Sequence, residues 1–175
     1  MTFVKKLKFF IAAMLLVSCT LFYFYKKRGS SLSIEQTTSA RYLLLGKEFN
    51  GSTNDEAFKN IFVEIKKKTG ETNSPIFMVH YELSEPSKAN NYHVNTFVGF
   101  EVEDTSSLSD ASYEHRIFQP RKIVKGSSTS HFIFQGSVYP KLNEFIEKKK
   151  LTVDSTYLVE KYGTDDNIEI EMGVK

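Results

Sequence analysis

FIFQGSVYPKLNEFIEKKK (132–150), followed closely by TYLVEKYGTDDNIEIEMGV (156–174), decides how this chain is read. The first stretch reads as a strand ending in Phe134-Gln135-Gly136-Ser137. An amphipathic helix follows, burying Val138, Leu142, Phe145 and Ile146 and ending at Lys148-Lys149-Lys150. The second stretch alternates apolar and polar residues around Gly163-Thr164-Asp165-Asp166-Asn167, a loop rich in turn formers, and so predicts a hairpin of strands 156–162 and 168–174. Successive strand side chains alternate, so Leu158, Glu160 and Tyr162 share one face while Tyr157, Val159 and Lys161 share the other. With Ile168, Ile170 and Met172 set against the helix, and Tyr157 and Val159 packed there too, Glu160, Glu169 and Glu171 are expected to point away from it.

Working back toward the N-terminus, the same order of elements recurs. Tyr42–Leu45 reads as a short strand closed by Phe49-Asn50-Gly51-Ser52. Thr53 or Asn54 is placed to cap a helix, with Asp55 and Glu56 in its first turn. Phe58, Ile61, Phe62 and Ile65 then repeat at helical spacing, and Gly70 after Lys66-Lys67-Lys68 is a stop signal. Pro75 introduces the strand IFMVHYEL (76–83), the loop 84–91 follows, and TFVGFEV (96–102) pairs back, with Gly99 allowing close backbone approach. A polar linker, 104–112, separates the halves. The second half opens with a strand at 113–118 and an extended segment, 122–134, bent at GSSTS (126–130). FNGS (49–52) matches FQGS (134–137), and EIKKK (64–68) matches FIEKKK (145–150). The chain therefore reads strand–helix–strand–strand twice, an internal duplication. The expected fold class is α+β: two such units forming a pseudo-two-fold antiparallel-sheet domain.

In front of this domain, Phe9–Tyr25 is an uncharged apolar run flanked by Lys5, Lys6, Lys8, Lys26, Lys27 and Arg28. A helix of that length spans ~25 Å, the short limit for a bilayer, and flanking lysines and the aromatic cluster 22–25 suit its interfaces. The segment is expected to be a single-pass anchor, with orientation undecided because the flanking charges balance. The alternative reading takes Leu16-Val17-Ser18-Cys19 as a lipobox, with Cys19 lipidated after cleavage. The expected division is a basic flank (1–8), an anchor (9–25), a polar tether (26–38) and a globular domain (39–175).

The formal charge of +2 misleads, because all six basic residues up to Arg28 belong to the anchor's flanks. The remainder holds 17 basic against 21 acidic residues, the wrong sign for a nucleic-acid binder, so no nucleic-acid partner is expected. Cys19 is the only cysteine, so the domain has no disulfide. The sequence holds no Gly-x-Ser-x-Gly elbow, phosphate loop or zinc motif, and His80, His93, His115 and His131 lie at no ligand spacing. No cofactor or metal is expected.

FQGSVYPKLNEFI (134–146) and VEKYGTDDNIEIEMGV (159–174), together with the doubled unit, resemble the GyrI-like domain family, the effector-binding and SOUL-related group. The resemblance covers about residues 40–174. It implies two pseudo-symmetric units around a central cleft, and its members include drug-sensing domains, stand-alone ligand binders, gyrase-inhibiting proteins and hydrolases of cyclopropanoid compounds. It also implies that Glu160 is the acidic residue placed in the pocket to meet cationic ligands. Gly173 departs from the pattern, where the family usually has proline.

A carboxylate in an aromatic cleft complements a lipophilic cation through charge and ring faces. Glu160, Tyr162, Tyr139, Tyr42, Tyr81 and Phe100 are the candidate ligand-binding residues. The leading expectation is a membrane-anchored module binding a small cationic or amphiphilic organic molecule without catalysis. Two alternatives stand beside it: a membrane-tethered module that docks a protein partner, and a hydrolase with Glu160 as general base and Tyr162 or Tyr139 orienting a water.

Overall fold

The computed structural model describes Met14, Ser18 and residues 32–72, 74–83, 93–104, 112–129, 131–163 and 167–175. It divides into two units, 1–31 and 32–175. In the first, Met14 and Ser18 are helical; the rest of the anchor reading lies outside the described residues. Among the described residues, no helix is long and apolar enough to cross a membrane. The loop 84–91 and most of the linker 104–112 also lie outside them.

The second unit is an α+β domain with its own cores. Its elements are β1 (Leu32–Thr38), β2 (Tyr42–Ser52), α1 (Glu56–Thr72), β3 (Ile76–Leu83), β4 (His93–Glu101), β5 (Glu114–Phe118), β6 (Lys122–Ser128), α2 (His131–Lys149), β7 (Val153–Tyr162) and β8 (Ile168–Val174). All eight strands form one antiparallel sheet in the order β1-β6-β8-β7-β3-β4-β2-β5. This order carries the duplication. The units β2-α1-β3-β4 and β6-α2-β7-β8 contribute mirrored halves, and β3 and β7 meet at the centre through Ile76–His80 and Leu158–Tyr162. Ladder registers repeat between halves: Val98 sits between Met78 and Lys47 as Ile170 sits between Glu160 and Gly126.

Both helices lie on one face. α1 covers Leu45, Ile76, Met78, Val98 and Phe100 with Ile65, Phe58, Ile61 and Phe62. α2 covers Val124, Leu158, Ile168, Ile170 and Met172 with Val138, Leu142 and Ile146. The other face buries Tyr42, Leu44, Phe77, Val79, Phe97, Phe118 and Val159, a core to which no helix residue among the described residues contributes. The sheet covers this face itself. In a flat sheet, strands four places apart stand ~19 Å apart at the usual spacing, yet Tyr42 on β2 hydrogen-bonds Glu171 on β8 at 2.8 Å. Strong coiling brings them together. The β2 and β4 backbones approach closely at the cross-strand pair Gly46–Gly99, where a Cβ on Gly46 would stand 2.1 Å from the Val98 carbonyl oxygen.

Several expectations are corrected. Residues 32–38, read as tether, form β1, which pairs with β6 from Leu32–Ser128 to Thr38–Lys122. The bonds are backbone to backbone, so a largely exposed edge strand carries little apolar pattern. The cap of α1 is Asp55, whose Oδ1 accepts the Ala57 N–H at 2.9 Å, rather than Thr53 or Asn54. The helix also passes Gly70, which has no positive φ, and ends at Thr72. FQGS (134–137) is helical, not the end of a strand: both neighbours of β6 give out at Ser128, and without a ladder partner the chain turns into α2. FNGS lies within β2, so the tetrapeptide match joins non-equivalent positions although the duplication is real. α2 ends in a Schellman motif. Lys150 takes φ 54°, its N–H bonds the Glu147 carbonyl, and Leu151 N–H bonds that of Ile146.

Candidate functional site

β7 places Glu160 opposite Ile170 on one side and Met78 on the other. Directly opposed residues share a face. Because Ile170 faces α2, so does Glu160, and the expectation that it points away from the helix is overturned. The hairpin register decides this, pairing Leu158, Glu160 and Tyr162 with Met172, Ile170 and Ile168. Tyr157 and Val159 belong instead to the core of the coiled face.

Glu160 is 7% exposed. Its Oε1 accepts the Tyr139 hydroxyl from α2, and its Oε2 accepts the Tyr162 hydroxyl at 2.5 Å. His80 Nε2 on β3 lies 3.5 Å from Oε2. Burial works against the ionised carboxylate, but the hydrogen bond and charge of His80, aided by both hydroxyls, outweigh it and hold the Glu160 pKa below the usual 4.5. Burial, reinforced by the neighbouring carboxylate, drives the Tyr139 and Tyr162 phenols far up, so both remain neutral donors. Tyr162 also meets Phe62 of α1 edge-on, at 6.1 Å between ring centroids. The carboxylate thus sits on the central strand pair, with Tyr139 of α2 bonded to it and Phe62 of α1 packed against its other partner, Tyr162. Among the described residues, it has no lysine or arginine partner.

The six candidate residues separate. Glu160, Tyr162 and Tyr139 come together. Phe100 lies on the same face, in the α1 core beside Ile65 and Tyr113. Tyr42 and Tyr81 belong to the opposite face. β2 sends Tyr42 there because it alternates with Leu43 and shares its side with Leu44, a core residue of the coiled face. Tyr81 falls at the register shift between His80 and Glu82. His80 is the residue that sequence reasoning missed. Its signal was its position in step with Ile76 and Met78 on the apolar face of β3, where a histidine needs a polar partner.

Tyr42 belongs to a second polar group. Lys161 Nζ donates to Tyr42 Oη at 2.7 Å and to Glu171 Oε1 at 2.5 Å, and it lies 3.5 Å from Glu169. Burial lowers the Lys161 pKa, but the bonds to Glu171 and Tyr42 more than reverse this and leave it raised. Burial lifts Tyr42 to about 12 against the pull of Lys161. A raised folded-state pKa stabilises below the unfolded value and is lost as pH rises through the folded one. The folded domain is therefore expected to lose stability from pH 10 upward, through about 12 for Tyr42. Melting temperature against pH measures this, and Tyr42→Phe should flatten the curve between pH 10 and 12. An unchanged slope would show that Tyr42 carries none of it.

No family model matches the sequence, and no curated protein sequence matches it. The fold has solved counterparts. The EcmrR C-terminal domain is similar at TM-score 0.60 and 12% identity, over 82% of this chain and 98% of that one. A hydrolase from Listeria innocua gives 0.56 and 11%, over 82% and 92%. SAV2435, solved bound to tetraphenylphosphonium, gives 0.51 and 14%, over 82% and 94%. With its paired strand–helix–strand–strand units on one antiparallel sheet, this chain has a GyrI-like fold.

Proposed function

We propose that the domain binds a small lipophilic organic cation at Glu160, without chemistry, and that residues 9–25 hold it at a membrane. The observation that carries the binding reading is a buried carboxylate framed by Tyr139, Tyr162 and His80, with no lysine or arginine partner among the described residues. An anion in such a place is stabilised by a cation that sheds water readily and lies against ring faces. The likeness to SAV2435 with tetraphenylphosphonium supports this choice of ligand class. A hydrolase with Glu160 as base is disfavoured, because both of its oxygens already accept hydroxyl protons, from Tyr139 and Tyr162.

Tetraphenylphosphonium titrated calorimetrically into residues 29–175, which contain the whole second unit, is expected to bind at one site. Glu160→Gln keeps the shape and removes the charge, and should weaken binding at least tenfold, about 1.4 kcal/mol. Equal affinity in the folded variant would sink the assignment of Glu160.

The anchor reading is supported by 17 consecutive uncharged residues between basic flanks. The full chain should sediment with membranes and resist carbonate extraction, and Cys19→Ser should change neither property. Release of the Cys19→Ser chain would favour the lipidated form instead.

A further inference from the structure

We propose a second binding site, separate from Glu160, in the cavity where β3 and β7 part, and that it takes a compact, uncharged, ring-containing molecule. Both strands are irregular at this point. The β3–β7 pairing stops at His80–Leu158, and β3 shifts register between His80 and Glu82. Between the pairs Val153–Val174 and Leu158–Met172, β7 carries Asp154–Tyr157 against Gly173 alone on β8, so β7 bows outward. The opening is about 360 Å³, walled by His80, Tyr81, Val153, Tyr157, Leu158 and Met172. That lies at the small end of the range for organic-ligand pockets.

The bowed wall is held by a side chain in place of the missing ladder. Arg121 Nη2 donates to the Tyr157 carbonyl at 2.5 Å, and its guanidinium lies 3.5 Å over the Tyr157 ring. Its Nη1 is 3.8 Å from Asp154 Oδ2. A Cβ on residue 173 would stand 2.5 Å from that Nη1, so any larger residue there would push the guanidinium aside. Arg121 is fixed in turn, because its N–H bonds Ser39 Oγ at 3.0 Å and its carbonyl accepts the Ser39 N–H at 2.9 Å. The cavity therefore has a braced wall.

The one ionised side chain that lines it among the described residues, Asp154, is paired with Arg121, and this favours an uncharged ligand. Asp154 accepts the N–H and hydroxyl of Thr156 and faces Arg121. One face of Tyr157 is taken by the guanidinium. His80 turns its Nε2 to Glu160. An added ion would have to compete with the Asp154–Arg121 pair at 3.8 Å, whereas a neutral ring gains contact with Tyr81, Leu158 and Met172. His80 is shared by this cavity and the Glu160 group.

Indole is the probe. The chain has no tryptophan, so indole emission excited beyond the tyrosine absorption is free of protein background. With residues 29–175, a saturable blue shift is expected. Val153 and Ser155 are exposed at the rim, so Val153→Phe with Ser155→Phe blocks the mouth without touching a core. That pair should weaken indole at least tenfold and leave the melting temperature and tetraphenylphosphonium affinity unchanged. Glu160→Gln should leave indole binding intact. A shift that never saturates, or indole binding unaffected by the blocked mouth, would overturn the site. So would stoichiometric displacement of indole by tetraphenylphosphonium, which would make the two sites one. Indole binding in a chain that ignores tetraphenylphosphonium keeps this site and removes the cation reading.

Discussion

Lys161→Met is expected to destabilise the domain by about 3 kcal/mol, the lower end for breaking a buried ion pair from one side. Glu171 is 2% exposed, and Lys161 is the cation bonded to it. Without Lys161 the carboxylate stays buried with Tyr42 still donating to it, which moderates the loss. The cost arises from the stranded charge, more than from the vanished attraction. Lys161→Met combined with Glu171→Gln tests that account, since the glutamine is neutral and still offers Tyr42 an acceptor. Urea denaturation should find the double variant at least 1 kcal/mol more stable than Lys161→Met alone. A double variant no better than the single one would mean that the lysine acts through packing against Tyr42 and Phe77.

Gly46→Ala should cost about 3 kcal/mol, or prevent folding, although it adds only one methyl group. The new carbon would lie 2.1 Å from the Val98 carbonyl oxygen and 2.6 Å from the Gly99 Cα. Both are backbone atoms of the paired strand, so relief requires the ladder itself to shift. The comparison is Gly70→Ala in α1, where nothing lies within 4 Å and helix propensity favours alanine by up to about 1 kcal/mol. The two substitutions should move the urea midpoint in opposite directions. A tolerated Gly46→Ala would mean that the β2 and β4 backbones part readily at this pair.

Patterns local to a few residues were legible in the sequence. The alternation in 156–162 and 168–174 and the spacing of Phe58, Ile61, Phe62 and Ile65 each mark one face of one element, and those elements formed. What was not legible depended on pairing between distant segments. The side of the sheet carrying Glu160 follows from a hairpin register set across 163–167, and a strand's own alternation is blind to it. β1 exists through hydrogen bonds to β6, which leave no trace in side-chain type. His80 meets Glu160 only because β3 and β7 are neighbours, a contact between residues 80 positions apart. The resemblance to GyrI-like proteins supplied Glu160, and the structure supplied its partners.

The central ladder runs from Ile76–Tyr162 to His80–Leu158, with Met78 opposite Glu160 at its middle rung. The pseudo-two-fold axis therefore passes through that rung and exchanges Glu160 with Met78, and Tyr162 with His80. An assembly of two identical half-chains would have to repeat at this rung whatever residue it carried. A glutamate there would face its own copy across one strand spacing, two like charges in one buried place. Joining the halves in a single polypeptide removes that constraint: one side keeps the acid, the other holds a thioether, and a hydroxyl and an imidazole occupy the flanking pair. Covalent fusion of the repeats is what allows a single negative charge to stand on the axis of a symmetric fold.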